Sequence, residues 1–512
     1  MLMNTAGETS TPALEELAFR RQFYLGPEFL EYFPSWKRVR IGVALCLTAH
    51  PDLEVCHTSD ASRSITLLGY LLDPNNPAAG NSDIVDALLH KLDRFDSFWT
   101  HTEELGGRWI LIVNDGHETV IFNDAAGLRS VYFHALGASR GGTVCASQPG
   151  LIAEKHSLPR NEEALAFIES RGHDDSEVYW FPGNTSLYHD VRALLPNHYL
   201  RLGTGTTYRY WPDRDVPCIG REEAIDASAR TLLGLMRSAQ HRFSLALSLT
   251  AGWDSRLMLA LSKNIIRNVY CFTLAYSDVE KSRDVTVPTT LLKKLGVPHF
   301  ILHYPKQVNK EFKRIHQRST SAPSAAWCAD VQILYEQYPQ DRVCVTGDVA
   351  EIVKCYLRLP APAQRKVTAE DLAALCRIGT HPFLMKAFEE WLSDVQPRNL
   401  NVLDLFCWEQ IAGRKQQQIR NEADIAHESF APLNCRRLLL TLLGTDEIDR
   451  QPPEHRLFRE LINRLWSDVL SVPINPKEKV SLGRMLRDLL SRLHVYQYIP
   501  RPAKELGKRL LR

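Results

Sequence analysis

The sequence predicts an α/β protein in two parts. A layered α+β unit spans 1–215, and a doubly wound parallel α/β unit with a helical C-terminal part spans 221–512. Three observations carry this. Short apolar segments in the first half come in pairs around turn signals, as antiparallel strands do. From Ser244 the pattern becomes strand, helix, strand, helix, strand, which builds a parallel sheet. From Thr368 onward apolar residues recur at helical spacing.

At 512 residues the chain is too long for one core. Apolar residues make up 44% and charged ones 24%, as in ordinary globular proteins. The 61 basic and 60 acidic residues argue against a polyanion-binding surface over the whole protein, though not against a local patch, and no nucleic-acid partner is expected. The start, Met1–Ser10, lacks the basic and apolar regions of a signal peptide, and no run is long enough for a membrane span. The 11 cysteines are scattered without a C-x-x-C pair. This reads as reduced thiols of a cytoplasmic protein, with Cys271 and Cys344 as packing residues.

In chain order, Ile65–Leu72 reads as a strand and Asp73–Pro77 as a turn. Asn81-Ser82-Asp83 starts a helix over Ile84–Leu92. Arg108–Asn114 and Glu118–Asn123 read as a hairpin about a two-residue turn, Asp115-Gly116. Val131–Ala135 and Thr143–Ala146 add two strands. Tyr208–Gly220, rich in Pro and turn residues, marks the boundary. Gly203 and Gly205 lack the third glycine of a dinucleotide fingerprint.

An amphipathic helix, Glu222–Met236, leads to a buried strand marked by Leu245, Leu247 and Leu249. Thr250–Ser255 is a tight turn. Leu257, Met258 and Leu261 then repeat at helix spacing, in a helix that Asp254 or Ser255 can cap. Asn268–Tyr276 is the next strand, Thr286–Leu295 a helix ended by Gly296, and His299–His303 and Arg342–Val345 further strands. Ligands of such sheets bind beyond the carboxyl ends of the strands. The turn lies at one such end and Leu274 at another. Backbone N–H groups converge where a strand enters a helix through a small-residue turn, and the helix dipole favours an anion there. Gly252 permits close approach, and Thr250 and Ser255 add hydroxyl donors. Asp254 would repel a bare phosphate, so it makes sense as a ligand of Mg²⁺ bound to a polyphosphate.

The common P-loop pattern G-x-x-x-x-G-K-[ST] does not occur in the sequence. Thr250-Ala251-Gly252-Trp253-Asp254-Ser255-Arg256 instead resembles the pyrophosphate loop of the asparagine synthetase family, S-G-G-x-D-S-S. The resemblance implies that Leu249, Thr250, Ala251, Gly252, Asp254, Ser255, Arg256 and Leu274 contact ATP. The first half resembles the same family's glutamine amidotransferase domain, which has an Ntn-hydrolase-like layered-sheet fold. Leu105-Gly106-Gly107-Arg108-Trp109 matches L-x-G-x-(F/W). Asp124, Gly127, Arg129 and Tyr132 match D-x-x-G-x-R-x-(L/V)-Y, and Ala146-Ser147-Gln148 matches A-S-(E/Q). In that family Asp124, Gly127 and Arg129 would be structural. Two catalytic parts differ. The family's glutaminase uses an N-terminal Cys, whereas this chain reads Met1-Leu2-Met3-Asn4, with Cys46 as its first Cys. Leu68-Gly69-Tyr70 stands where an Asn-Gly oxyanion donor is expected. The domain therefore reads as a retained scaffold without glutaminase activity.

Thr346-Gly347-Asp348-Val349-Ala350-Glu351 resembles the family's second signature, S-G-(E/D)-G-x-D-E-x-x-G-G-Y. One residue is deleted, and Lys354 and Cys355 replace the later glycines. This implies nucleotide contacts from Thr346 and Gly347 and a catalytic carboxylate at Asp348. Glu351 would be a catalytic group and, with Asp254, a Mg²⁺ ligand; which of Asp348 and Glu351 does which job stays open. Gln416–Asn434 resembles the segment ending in a P-F-x-D turn, with Arg420 and Glu422 as candidates for the acceptor pocket or a solvated helix face. Lys477 and Lys479 are similar to a catalytic lysine that steadies pyrophosphate in related synthetases. The terminal RPAKELGKRLLR reads as a basic amphipathic surface helix.

The resemblance spans about Leu68–Lys479 and implies an ATP- and Mg²⁺-dependent amide ligase, related to β-lactam synthetases and lasso peptide cyclases. Such an enzyme adenylates a carboxylate, releases pyrophosphate, and passes the acyl group to an amine. The substrate would be a small-molecule or peptide carboxylate, and the amine would be ammonia or a group on the same substrate. Three other readings stay open. These are a thiolating ATP-pyrophosphatase, a non-catalytic nucleotide-binding partner in a biosynthetic complex, and a glutamine-hydrolysing asparagine synthase.

Overall fold

The computed structural model describes residues 14–42, 44–137, 142–171, 180–275, 282–305, 307–320, 327–359 and 366–476. Twelve strands lie before the linker among these residues: β1 (Phe23–Gly26), β2 (Lys37–Ile41), β3 (Leu45–Ala49), β4 (Val55–Ser59), β5 (Ser64–Leu72), β6 (Gly106–Asn114), β7 (Thr119–Asn123), β8 (Tyr132–Gly137), β9 (Gly142–Ala146), β10 (Arg192–Ala193), β11 (His198–Arg201) and β12 (Thr206–Arg209). They form two antiparallel sheets, ordered β10-β8-β9-β1-β3-β2 and β12-β11-β7-β6-β5-β4. Strand alternation explains the layering. Phe23, Leu25 and Leu47 of the first sheet meet Leu68, Ile110 and Ile112 of the second in one buried cluster. On the other face of β6, Trp109, Leu111 and Val113 join a core that continues into the second half of the chain.

The β6–β7 hairpin differs from the sequence expectation. Asn114 pairs with Thr119, so four residues form the loop, not two. The Asp115 carboxylate stabilises it by accepting from the His117 and Glu118 amides, at 3.0 and 3.1 Å.

After the linker, the helix Arg221–Arg242 leads into a five-stranded, all-parallel sheet of β13 (Ser244–Ser248), β14 (Tyr270–Ala275), β15 (Phe300–His303), β16 (Arg342–Val345) and β17 (Ser429–Phe430). Its order is β15-β14-β13-β16-β17, so the winding reverses between β13 and β16. Leu245, Leu247, Val343 and Val345 face one core; Ala246 and Cys344 face another. This two-sided burial is why the strands read as continuous apolar runs. The helix Arg283–Leu295 is capped by the Ser282 side chain and ended by Gly296 at φ +67°.

The described residues from Thr368 to Pro476 are helical apart from their loops, with one exception. β17 breaks it and pairs with β16, adding a fifth strand that the helical pattern hid. A continuous helical run, Val402–Ala423, has a π-helical stretch at Cys407–Gln416. Lys477, Lys479 and the basic tail lie outside the described residues. Among the described residues no helix is long and apolar enough to cross a membrane.

The halves are joined by a buried charge cluster. Arg108 bonds Asp424 and also reaches Glu428 at 3.0 Å; Arg129 reaches Glu428 at 2.6 Å. Asp124 accepts from the Leu128 and Arg129 amides and from Asn434 Nδ2, at 2.8, 3.0 and 2.8 Å. The residues read as holding a local turn thus also fasten the sheets to the segment Asp424–Asn434.

Candidate active site

β13 ends at the switch point, and the helix Trp253–Leu261 starts after four intervening residues. The sequence offered Asp254 or Ser255 as its cap. The N-cap is instead Gly252, in extended conformation and without a side-chain cap, because the helix begins one residue before Asp254. The first-turn amides of Trp253–Ser255 therefore have no capping oxygen of their own. Ser255 Oγ turns back to the loop, where it receives the Thr250 amide at 3.2 Å and donates to Thr250 O at 3.1 Å. The Gly252 amide meets Thr250 Oγ1 at 3.3 Å, and the Ala251 amide is taken by Asp284 Oδ1 at 3.0 Å. The loop amides are thus bonded, and the helix start opens beside the Thr250 and Ser255 side chains, which are bonded to each other and to the loop.

The second loop, after β16, comes directly onto the first. A Cβ added to Gly347 would lie 2.5 Å from Asp254 Cβ, so only glycine permits this approach. Thr346 Oγ1 donates to Asp348 Oδ2 at 2.7 Å, and Arg420 Nε lies 3.2 Å from the same oxygen. Val349 has φ +76°, a strained position for a β-branched residue. Gln416, at the end of the π-helical stretch, accepts the Val349 amide at 2.9 Å and donates to Glu351 Oε2 at 2.6 Å. Burial and the nearby Asp254 raise the Glu351 pKa, against Lys354 and Gln416.

Leu249, Thr250, Asp254, Ser255, Leu274, Thr346, Gly347, Asp348 and Glu351 line one cleft of about 430 Å³. Ala251 sits behind the turn, its carbonyl held by the Asn475 amide at 2.9 Å. Arg256 is not brought to the cleft. Its guanidinium is buried and donates to Val469 and Val472 carbonyls at 2.5 and 2.8 Å; burial lowers its pKa to about 10. Arg420 lines the cleft, but Glu422 faces the interior, 3.5 Å from His316. Burial pushes Glu422 up to about 8 and His316 down to about 4.

Four contributors were given no role from sequence. Asp284 ties the next loop to the turn. His427 and Trp327 line the cleft, and neither the His427 ring nitrogens nor the Trp327 indole N–H has a partner among the described residues. Burial, with Arg420 and Arg21, lowers the His427 pKa to about 3. A neutral imidazole and an indole N–H thus line the cleft. The fourth addition is Lys354, whose Nζ lies 2.5 Å from Asp254 Oδ1. Asp254 and Glu351 thus each have one oxygen engaged by a protein group, and a Mg²⁺ shared by their free oxygens would lie against the Lys354 ammonium, a poor fit for a cation. Among the described residues no three His, Cys, Asp or Glu converge as metal donors.

Fold and cleft together define a protein in which a sandwich of antiparallel sheets is fused to a doubly wound parallel sheet with a polar cleft at its switch point. No family model and no curated protein matches the chain. Among solved structures it aligns with the U34-tRNA thiolase NcsA from Methanococcus maripaludis at 13% identity, covering 56% of this chain and 80% of that one, with a TM-score of 0.22. It aligns with a glutamine-dependent NAD+ synthetase from Acinetobacter baumannii at 14%, covering 63% and 78%, with a TM-score of 0.21. With glutamine phosphoribosylpyrophosphate amidotransferase from B. subtilis the values are 10%, 72%, 75% and 0.20. Likenesses this low carry nothing about chemistry, which falls to the site's own residues.

Proposed function

We propose that the cleft binds the polyphosphate of ATP and that the protein is an asparagine synthetase-like ligase. It activates a substrate carboxylate as an acyl-adenylate, releases pyrophosphate, and passes the acyl group to an amine. One observation carries this reading: the uncapped start of the helix Trp253–Leu261, rimmed by Thr250 and Ser255, stands at the switch point where Gly347 closes onto Asp254. Carboxylate is a poor electrophile, and adenylation replaces an impossible leaving group by AMP. The departing pyrophosphate gains from helix-start amides already in place. Arg420 and Asp348, paired beside the cleft, are placed to orient the carboxylate, and His427 and Trp327 offer neutral hydrogen bonds to the rest of the substrate.

The turn has no P-loop lysine of the kind used for γ-phosphoryl transfer. ATP–pyrophosphate exchange across a panel of carboxylic acids tests the proposal. Exchange with one acid, and AMP as the nucleotide product, is expected; ADP and phosphate as products would rule it out.

A further inference from the structure

We propose that Lys354 takes the place of a protein-bound divalent metal at this site: its ammonium, held on Asp254, is the cation that meets the nucleotide's phosphates. The inference rests on the cleft being a polyphosphate site, as proposed above.

Asp254 poses the problem. A carboxylate in the first turn of a helix that receives phosphate repels its ligand unless a cation lies between them. The structure supplies that cation from the chain. Lys354 Nζ is 2.5 Å from Asp254 Oδ1, and its side chain is only 12% exposed. The ammonium also lies 5.9 Å from the centre of the Phe458 ring. This is a packed position, unlike that of a surface lysine swinging in water. An ammonium has three donors and spends one on Asp254, leaving donors for phosphate oxygens.

A metal ion on the free oxygens of Asp254 and Glu351 would sit beside the Lys354 ammonium, a like charge. Lys354 occupies one carboxylate, and Gln416 holds the other at 2.6 Å while also fixing the Val349 amide. Removing Gln416 from Glu351 would loosen the strained Val349 turn. Among the other carboxylates at the cleft, Asp348 faces Arg420, Asp284 holds the Ala251 amide and Asp330 accepts from the Tyr304 hydroxyl, while Glu351 also feels the Lys354 charge. Magnesium travelling on the nucleotide's own outer phosphates is compatible with this arrangement. A metal held on Asp254 would face the repulsion of the Lys354 ammonium.

The test is isothermal titration of ATP, and separately of pyrophosphate, into the full chain in excess EDTA and in MgCl₂. The wild type is expected to bind both without metal, with Kd within about threefold of the MgCl₂ value, a difference below 1 kcal/mol. Lys354→Met should weaken metal-free binding by about 10–100-fold, the loss of a charge-assisted contact, while Lys354→Arg keeps most of it. Circular dichroism melts establish that the variants are folded, and the Arg variant preserves the charge if the Met variant is not. Wild-type binding that vanishes in EDTA, or tighter Mg²⁺-dependent binding by Lys354→Met, would overturn the inference and leave the ligase reading standing. No binding of ATP or pyrophosphate in either buffer would overturn both.

Discussion

Gly347 rests on Asp254, with room for no side chain between them: an added Cβ would stand 2.5 Å from Asp254 Cβ and 3.1 Å from its carbonyl carbon. The two loops that line the cleft touch here, one from each side of the sheet's switch point. The contact sets the separation of the helix start from Asp348 and Glu351.

Gly347→Ala is therefore expected to push the loops apart. Overpacking of this kind costs about 1–3 kcal/mol. A lower melting temperature and an ATP affinity weaker by about tenfold are expected, the latter equal to about 1.4 kcal/mol. Thermal melts and nucleotide titration measure both. A variant that matches the wild type in each would show that the loops are not locked at this point.

Asp254→Asn keeps the size of the side chain and removes the charge that holds Lys354. The fold should survive, because the Asp254 side chain is partly exposed and Asn keeps its shape against Gly347. ATP–pyrophosphate exchange is expected to fall by about 10²–10³-fold, the scale of losing one placed charge-stabilising group. Undiminished exchange in a folded variant would remove Asp254 from the chemistry.

Acid should unfasten the joint between the halves. Burial alone would raise the Glu428 pKa, but Arg129 and Arg108 outweigh it and hold the carboxyl at about 2, below its ordinary 4.5. The folded value is the lower one, so the unfolded chain binds the extra proton. The stabilisation is complete above pH 4.5 and is lost as pH falls toward 2; it is on the order of 3 kcal/mol. Glu428→Gln should be less stable at pH 7 by about 3–5 kcal/mol, since it strands buried arginines, and should lose less than the wild type between pH 5 and 3. Urea unfolding at the two pH values decides it. Parallel acid sensitivity in both proteins would show that Glu428 is not the responsible group.

The doubly wound sheet and its organising turn were legible because their signals are local: apolar strands, a small-residue turn, a helix closed by Gly296. Where residues distant in sequence decide, the reading ran out. Lys354 and Asp254 are 100 positions apart, and Arg108 and Glu428 are 320 apart. Arg256 stands in the turn's own motif, yet the carbonyls of Val469 and Val472 draw it away, and no local pattern marks them. β17 has two residues, too few for any period. Arg420 and Glu422 could have been separated: residues two apart on a helix do not share a face, so one meets the cleft and the other the core.

The last expectation concerns glutamine. Releasing ammonia from it requires a reactive thiolate and a donor for the oxyanion. At the position where the donor is sought, Leu68 is fully buried between the two sheets. The Gly69 amide is spent on Glu54 O at 2.8 Å, and the Tyr70 hydroxyl on Ser429 O at 2.6 Å. The thiols offer no substitute. Burial raises Cys145, and pushes Cys271, Cys344 and Cys435 up to about 12, opposite to the shift that activates a cysteine; the exposed Cys218 lies in the linker. Pure protein incubated with glutamine, ATP and candidate acids should release no glutamate above a no-enzyme control. The acyl group would then be taken by free ammonia, by an amine of the substrate or by one delivered by a partner. Glutamate release blocked by a thiol-alkylating glutamine analogue would place a working glutaminase in the antiparallel sandwich and reverse this assignment.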